Sequence, residues 1–303
     1  MLNRRQFITL AVGTGLFIGC SSQTGSPPSS QDRSTFVVGA IPDQDPEKLQ
    51  RLYGKLTDYL GSTLDVDVAY KPVTDYAAAV TAFRVGDLDM VWFGGLTGVQ
   101  ARLQVPQAQA IAQRDIDAKF TSVFIAHQSS NLSPFNSAQD LSQLKDLRMT
   151  FGSESSTSGR LMPQYFLQDN GVSLEDFKGD IGFSGSHDKT LKLVESGTYE
   201  VGALNSQVWR DREAEGSFNP ESVQVIWETP SYYDYHWVIN PAVAERFGDD
   251  FIPKVQQSLL DLNLSDPDHQ QILDLFGAAS FIATKNENYQ QIEAVGREIG
   301  KIQ

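Results

Sequence analysis

The chain has 303 residues, with 24 Lys and Arg against 38 Asp and Glu, for a formal charge of −14. Its 40% apolar and 20% charged residues suit a water-soluble globular body of one large or two medium domains. The acidic balance excludes nucleic acid as a partner, which needs a basic surface, but leaves room for a local anion site built from backbone dipoles.

Arg4 and Arg5 precede an apolar run from Phe7 to Gly19 that ends at Cys20. The run is too short to span a bilayer comfortably and is placed as the core of an export signal, so residues 1–20 are read as that signal. Cys20 is the only cysteine, which excludes an internal disulfide. Phe17-Ile18-Gly19-Cys20 resembles the lipobox of bacterial lipoproteins, implying lipidation at Cys20, and Asn3-Arg4-Arg5-Gln6-Phe7-Ile8 resembles a twin-arginine export signal. Residues 21–34, rich in Ser, Pro, Gly and Gln, read as a flexible tether.

The body opens with a buried strand, Phe36–Ile41. A helix follows from Pro46, with Leu49, Leu52, Tyr53, Leu56 and Leu60 at helical spacing, and stops at Gly61. Leu64–Tyr70 alternates as a second strand. Asp75 caps a helix from Tyr76 to Val85, and Asp87–Phe93 is a third strand emptying into Gly94-Gly95. This strand–helix alternation continues and predicts α/β layering with mostly parallel strands. Thr81–Gly94 and Lys192–Asn205 echo one another, aligning Gly86 with Gly197 and Asp89 with Glu200, as expected of two similar lobes facing one cleft. Phe120–His127 and Val223–Thr229 are the strands expected to cross between lobes. A final amphipathic helix carries Ile292, Val295, Ile299 and Ile302 on one stripe.

Two stretches share one grammar, Phe151–Arg160 (FGSESSTSGR) and Phe183–Thr190 (FSGSHDKT). In each, a strand enters a Gly/Ser/Thr cluster that opens a helix. Such junctions aim unpartnered N–H groups and short hydroxyls at one spot, where the helix dipole adds positive potential. Ser156, Thr157 and Ser158 at one start and Ser186, His187 and Asp188 at the other are therefore candidates for a small anion.

These residues, with Leu161 and Pro163 after the first cluster, resemble the phosphonate/phosphite class of ABC-transporter substrate-binding proteins. Asp75-Tyr76-Ala77 and the stretch from Gly86 to Gly94 resemble the same family's first-lobe motifs, and the likeness runs from about Phe36 to the last helix. It implies a two-lobed periplasmic binding protein fold of type II, each lobe a mostly parallel sheet flanked by helices, with the ligand cleft between them. Lobe 1 is expected over 35–126 and 235–303, and lobe 2 over 127–234. Ser156, Thr157, Ser158 and His187 would hold the oxygens of a tetrahedral oxyanion, with Tyr76 closing from the first lobe. An aromatic that the family places at the inter-lobe strand falls on Phe120 or Thr121. Gln207 stands where amine-binding members carry a carboxylate. Ser231–Trp237, including Tyr233, replaces another family segment and narrows the cavity, with Asp234 keeping the acidic role. The resemblance implies a monomer, located in the periplasm or cell envelope, that binds a compact oxyanion such as phosphite, methylphosphonate or phosphate and delivers it to a permease and ATPase. No cofactor or metal is implied.

Other readings are less well supported. A selenate binder or a ligand sensor would reuse the same fold. A serine hydrolase using Ser158 or Ser186 with His187 lacks a G-x-S-x-G elbow. No Gly-Lys-Ser/Thr follows the glycine cluster, and His127, His187, His236 and His269 show no metal-ligand pairing.

Overall fold

The computed structural model describes residues 34–303; the expected export signal, Cys20 and nearly all of the tether lie outside the described residues. The first lobe begins with β1 (Phe36–Ala40), α1 (Pro46–Leu64), β2 (Val68–Tyr70), α2 (Tyr76–Arg84), β3 (Met90–Phe93), α3 (Gly95–Gln104) and β4 (Gln109–Arg114). Helix α1 starts as its sequence requires: the Asp45 carboxylate accepts the N–H groups of Glu47 and Lys48, and Pro46 presets the first turn. It does not stop at Gly61 but runs to Leu64 and ends where Asp65 adopts φ 52°. A helical glycine costs only about 1 kcal/mol, less than the packing of the surrounding turns returns.

The chain then builds the second lobe from β5 (Ser122–His127), β6 (Met149–Phe151), a π-helical turn at Thr157–Leu161, α4 (Met162–Asp169), β7 (Gly182–Phe183), α5 (His187–Glu195), β8 (Val201–Asn205), α6 (Ser206–Ala214) and β9 (Val223–Glu228). It returns to the first lobe through β10 (His236–Ile239), α7 (Val243–Phe247), α8 (Phe251–Leu260), α9 (Pro267–Phe276), β11 (Phe281–Ala283) and α10 (Gln290–Glu298).

The strand orders are β11-β4-β10-β3-β1-β2 in the first sheet and β7-β6-β8-β5-β9 in the second. Both sheets are mixed rather than mostly parallel. Strand β10, arriving from the other lobe, slots antiparallel between β3 and β4, and β5 slots antiparallel between β8 and β9. The crossover itself produces these antiparallel ladders.

The expected boundary after residue 126 is also corrected. Both edges of β5 are paired within the second sheet, so the outward crossing lies at Phe120–Thr121. There Phe120 and Tyr232 exchange N–H···O bonds of 2.9 Å in both directions. This pair of adjacent connections is the hinge.

The internal echo has a structural basis. Gly86 and Gly197 both take left-handed φ values, 81° and 71°, which only glycine adopts at little cost. Three residues on, Asp89 accepts the Val37 N–H at 2.8 Å and pairs with Arg246, while Glu200 accepts the Arg148 N–H at 2.9 Å and pairs with that residue's guanidinium. In each lobe a carboxylate pins the neighbouring parallel strand at the same point.

The lobes also share apolar surface. Leu161 and Met162, on the second lobe, are wholly buried in the cluster that contains Leu96 of α3 and Ile292 of α10. Close packing is severe at Gly98, where a Cβ would fall 2.4 Å from the His236 ring. That ring is held by stacking on Tyr289, centroids 3.7 Å apart, and by a 3.0 Å contact from Nδ1 to the Asp234 carbonyl. Gly98→Ala is expected to lower stability by about 1–3 kcal/mol, measured as a fall in melting temperature. An unchanged melting temperature would mean that the ring can shift freely.

Candidate functional site

The two glycine/serine/threonine stretches meet. After β6, Ser156 caps the π-helical turn by accepting the Gly159 N–H at 3.0 Å. After β7, Gly185 turns the chain with φ 87° and Ser186 caps α5, bringing His187 fully inside. A Cβ on Gly159 would lie 3.0 Å from both the His187 ring and Ser156 Oγ. The absence of a side chain there allows the two helix starts to touch.

The first lobe supplies a third start. Gly94 caps α3 but has no side chain to do so. The acceptors come from elsewhere: Asp234 Oδ1 takes the Gly95 N–H at 2.8 Å, and Thr157 Oγ1 takes the Leu96 N–H at 2.9 Å. Beside them the Asp43 carbonyl accepts the His187 N–H at 3.0 Å, a further bond between lobes. Tyr76 stands buried at the start of α2.

Several buried polar atoms here lack hydrogen-bond partners among the described residues, namely Tyr76 Oη, Ser158 Oγ and Asp234 Oδ2. Unpaired buried polar groups are costly, so such a cluster needs an explanation. Two of the groups are hydroxyl donors, and burial keeps the Tyr76 phenol protonated. Burial pushes the Asp234 carboxyl up to about 7, opposed by the Gly95 N–H and by the Thr157 and Ser158 hydroxyls. At neutral pH this group can therefore either accept or share a proton.

His187 is a neutral donor here, since burial holds its imidazole down at about 4. Its Nδ1 accepts the Asn205 N–H at 3.3 Å, which puts the proton on Nε2, 3.2 Å from Tyr235 Oη. Tyr235 Oη also receives Asn205 Nδ2 at 3.1 Å. Among the described residues no serine pairs with the His187 ring, whose two nitrogens meet Asn205 and Tyr235 instead. The buried cation Arg114 is engaged elsewhere. It binds Asp117 through Nε and Nη2 at 2.8 and 2.7 Å and lies over the rings of Trp92, Phe120 and Tyr235.

Ser156, Thr157, Ser158 and His187 stand at the two touching helix starts, Thr157 and Asp234 bond the start of α3, and Tyr76 is buried at the start of α2. Thr121, Gln207 and Tyr233 do not join them. Thr121 Oγ1 bonds Glu228 and Ser206 on the hinge, whereas Phe120 faces Tyr235. Gln207 Nε2 reaches Asp211 and the Gly277 carbonyl at the rim. Tyr233 packs edge-on against Tyr289. Sequence reasoning missed Asp43, Asn205, Tyr235 and the Gly95 and Leu96 amides. Asn205 carried a usable signal, since it ends a buried strand and caps α6 by accepting the Val208 N–H at 2.7 Å.

A model of the family described as "ABC transporter, phosphonate, periplasmic substrate-binding protein" matches residues 38–289. The "Probable ABC transporter phosphite binding protein PhnD1" of Prochlorococcus marinus (strain MIT 9301) is 47% identical over 278 residues, 91% of this chain and 94% of that protein. The phosphonates-binding periplasmic protein of Escherichia coli (strain K12) is 24% identical over 267 residues, 86% of this chain and 76% of that one. The solved structure of PhnD1 from Prochlorococcus marinus in complex with methylphosphonate superposes with a TM-score of 0.87 at 48% identity, covering 88% of this chain and 99% of that one. The convergent helix starts, the two-lobed fold and this similarity lead to one conclusion: the chain belongs to the phosphonate-type periplasmic substrate-binding proteins of ABC transporters, and it is not an enzyme.

Proposed function

We propose that the protein captures a compact tetrahedral oxyanion of the phosphite, methylphosphonate or phosphate class between its lobes. Ser156, Thr157, Ser158 and His187 hold the oxygens, while Tyr76 and Asp234 close over them from the first lobe and hinge. The observation that carries this reading is the trio of unpartnered buried groups, Tyr76 Oη, Ser158 Oγ and Asp234 Oδ2, set among three helix starts. The methylphosphonate bound to PhnD1 is a ligand of the same size and charge class.

Neutral donors suit a delivery protein. Each charge-assisted hydrogen bond contributes about 1.5–3 kcal/mol, enough in combination for capture, and no fixed cation holds the anion when the lobes part. Asp234 sets the choice among anions. It pairs with an oxyanion that carries or shares a proton, and its lone pairs repel a fully ionised one such as sulfate or selenate. We further propose that Cys20 carries the lipid that anchors a monomeric protein at the membrane, where a permease and ATPase receive its ligand.

Thr157→Val, nearly isosteric, should weaken phosphite or methylphosphonate binding by about 1–3 kcal/mol, roughly ten- to a hundredfold. Calorimetry checks this, and unchanged affinity would remove Thr157 from the site. His187→Ala should cost at least as much. Because the imidazole titrates near 4, the ratio of variant to parent affinity should stay flat between about pH 6 and 8; a ratio that changes with pH would mean a charged ring. Cys20→Ser should release the protein from membranes with ligand affinity intact, as fractionation and calorimetry would test, and retention on the membrane would refute the anchor.

A further inference from the structure

We propose that His236 is a positioning residue for Asp234: its ring N–H grips the Asp234 main chain, so that one carboxylate oxygen caps α3 and the other is kept for the ligand. The inference rests on the oxyanion reading above and adds a residue that acts only through Asp234.

The register of the first sheet sets the geometry. Strand β10 runs antiparallel to β3 with His236 opposite Phe93. Carried two residues beyond the strand ends, the same register sets Asp234 opposite Gly95. The bond found there agrees, since Asp234 Oδ1 accepts the Gly95 N–H at 2.8 Å. The His236 ring meets the same helix one turn later, where a Cβ on Gly98 would fall 2.4 Å from Cε1 and Nε2.

Asp234 is held at both of its main-chain groups and at one carboxylate oxygen. Its N–H donates to the Asp117 carbonyl at 3.1 Å, its carbonyl meets His236 Nδ1 at 3.0 Å, and Oδ1 takes the Gly95 N–H. The remaining atom, Oδ2, is buried without a partner among the described residues. Asp117 is itself fixed, because its two carboxylate oxygens bind the Arg114 guanidinium at 2.7 and 2.8 Å. Main-chain bonds on both sides thus decide where the free oxygen points.

The choice of histidine singles out one of these bonds. A carbonyl oxygen only accepts, so Nδ1 carries the proton and Nε2 is a bare acceptor. Nε2 is buried and lacks a partner among the described residues, which costs stability. The stack on Tyr289, centroids 3.7 Å apart, needs only an aromatic ring. What the imidazole adds is the single donor to Asp234. Burial, with the Arg102 charge, holds the ring neutral, so the tautomer is fixed by that bond. Tyr289 anchors the stack from below, bonding Gln113 Oε1 at 3.1 Å.

Without the donor, the Asp234 peptide is free to rotate and Oδ2 loses its set direction. An oxyanion that carries or shares a proton then loses a partner. A fully ionised anion, which gains nothing from this carboxylate, is affected less.

The test compares His236→Asn with His236→Leu. Both side chains are smaller than the ring and lose the Tyr289 stack, but only asparagine offers a donor close to the Nδ1 position. The melting temperature should therefore fall alike in both. By calorimetry, phosphite affinity should stay within about twofold of the parent in His236→Asn. In His236→Leu it should fall about three- to tenfold, the range of one neutral hydrogen bond. Sulfate, measured by competition, should change less than phosphite in His236→Leu; where sulfate does not compete, the phosphite comparison stands alone. If His236→Leu fails to fold, His236→Met, whose flexible thioether fits irregular gaps, takes its place. Asp234→Asn controls for the reading beneath the inference and should weaken phosphite binding at least as much as His236→Leu. Equal phosphite affinities in the asparagine and leucine variants, beside a weakened Asp234→Asn, overturn the role of His236 and leave that of Asp234 standing. Parent-like phosphite binding in Asp234→Asn defeats both.

Discussion

A helix start presents N–H groups that the helix itself cannot satisfy, and here three such starts are buried against one another. The π-helical turn and α5 come from the second lobe and α3 from the first. Because Gly94 brings no side chain of its own, α3 depends on Thr157 from the opposite lobe and Asp234 from the hinge for its first acceptors. Glycine at positions 94 and 159 is what permits the approach, since a Cβ at each would crowd the facing groups. Lobe contact, cap chemistry and the candidate site are in this sense a single arrangement, and a change in one alters the others.

The electrostatic character of the site follows from the same burial. The donors are neutral: hydroxyls, amides, a phenol and an uncharged imidazole. The two carboxyls that border them, Asp43 and Asp234, are shifted upward by desolvation, to about 6 and about 7. Of the two buried arginines, Arg114 is paired with Asp117 and lies over aromatic rings, and Arg160 lies over the Phe151 and Phe183 rings. A chain with net charge −14 thus gathers neutral donors at this site without a basic patch.

Local physics made part of this legible in the sequence. Cap residues, strand-to-helix clusters and helical stripes are short-range signals, which is why Pro46, Asp75, Ser156 and Ser186 could be read directly as helix starts. The repeated Gly-x-x-acid pattern was likewise readable, because the left-handed turn and the strand-pinning carboxylate both lie within a few residues. Groups defined by distant partners left no such trace. Asp43 reads as an ordinary strand end until the His187 N–H is brought onto its carbonyl. The α3 start was silent because glycine carries no cap side chain. Thr121, Gln207 and Tyr233 were placed by likeness alone, and one residue of register or one helical turn decides whether a side chain faces the cleft or its rim.

Leu161 and Met162 belong by chain connectivity to the second lobe and by packing to the first. Separating the lobes exposes these two side chains to water along with the facing surface of α3 and α10. Closure is thus favoured by a hydrophobic contribution that no ligand supplies. The two lobes are consequently poor candidates for independent expression: the second, cut at the hinge, would carry a bare apolar knob beside its π-helical turn, and the first an unfilled socket.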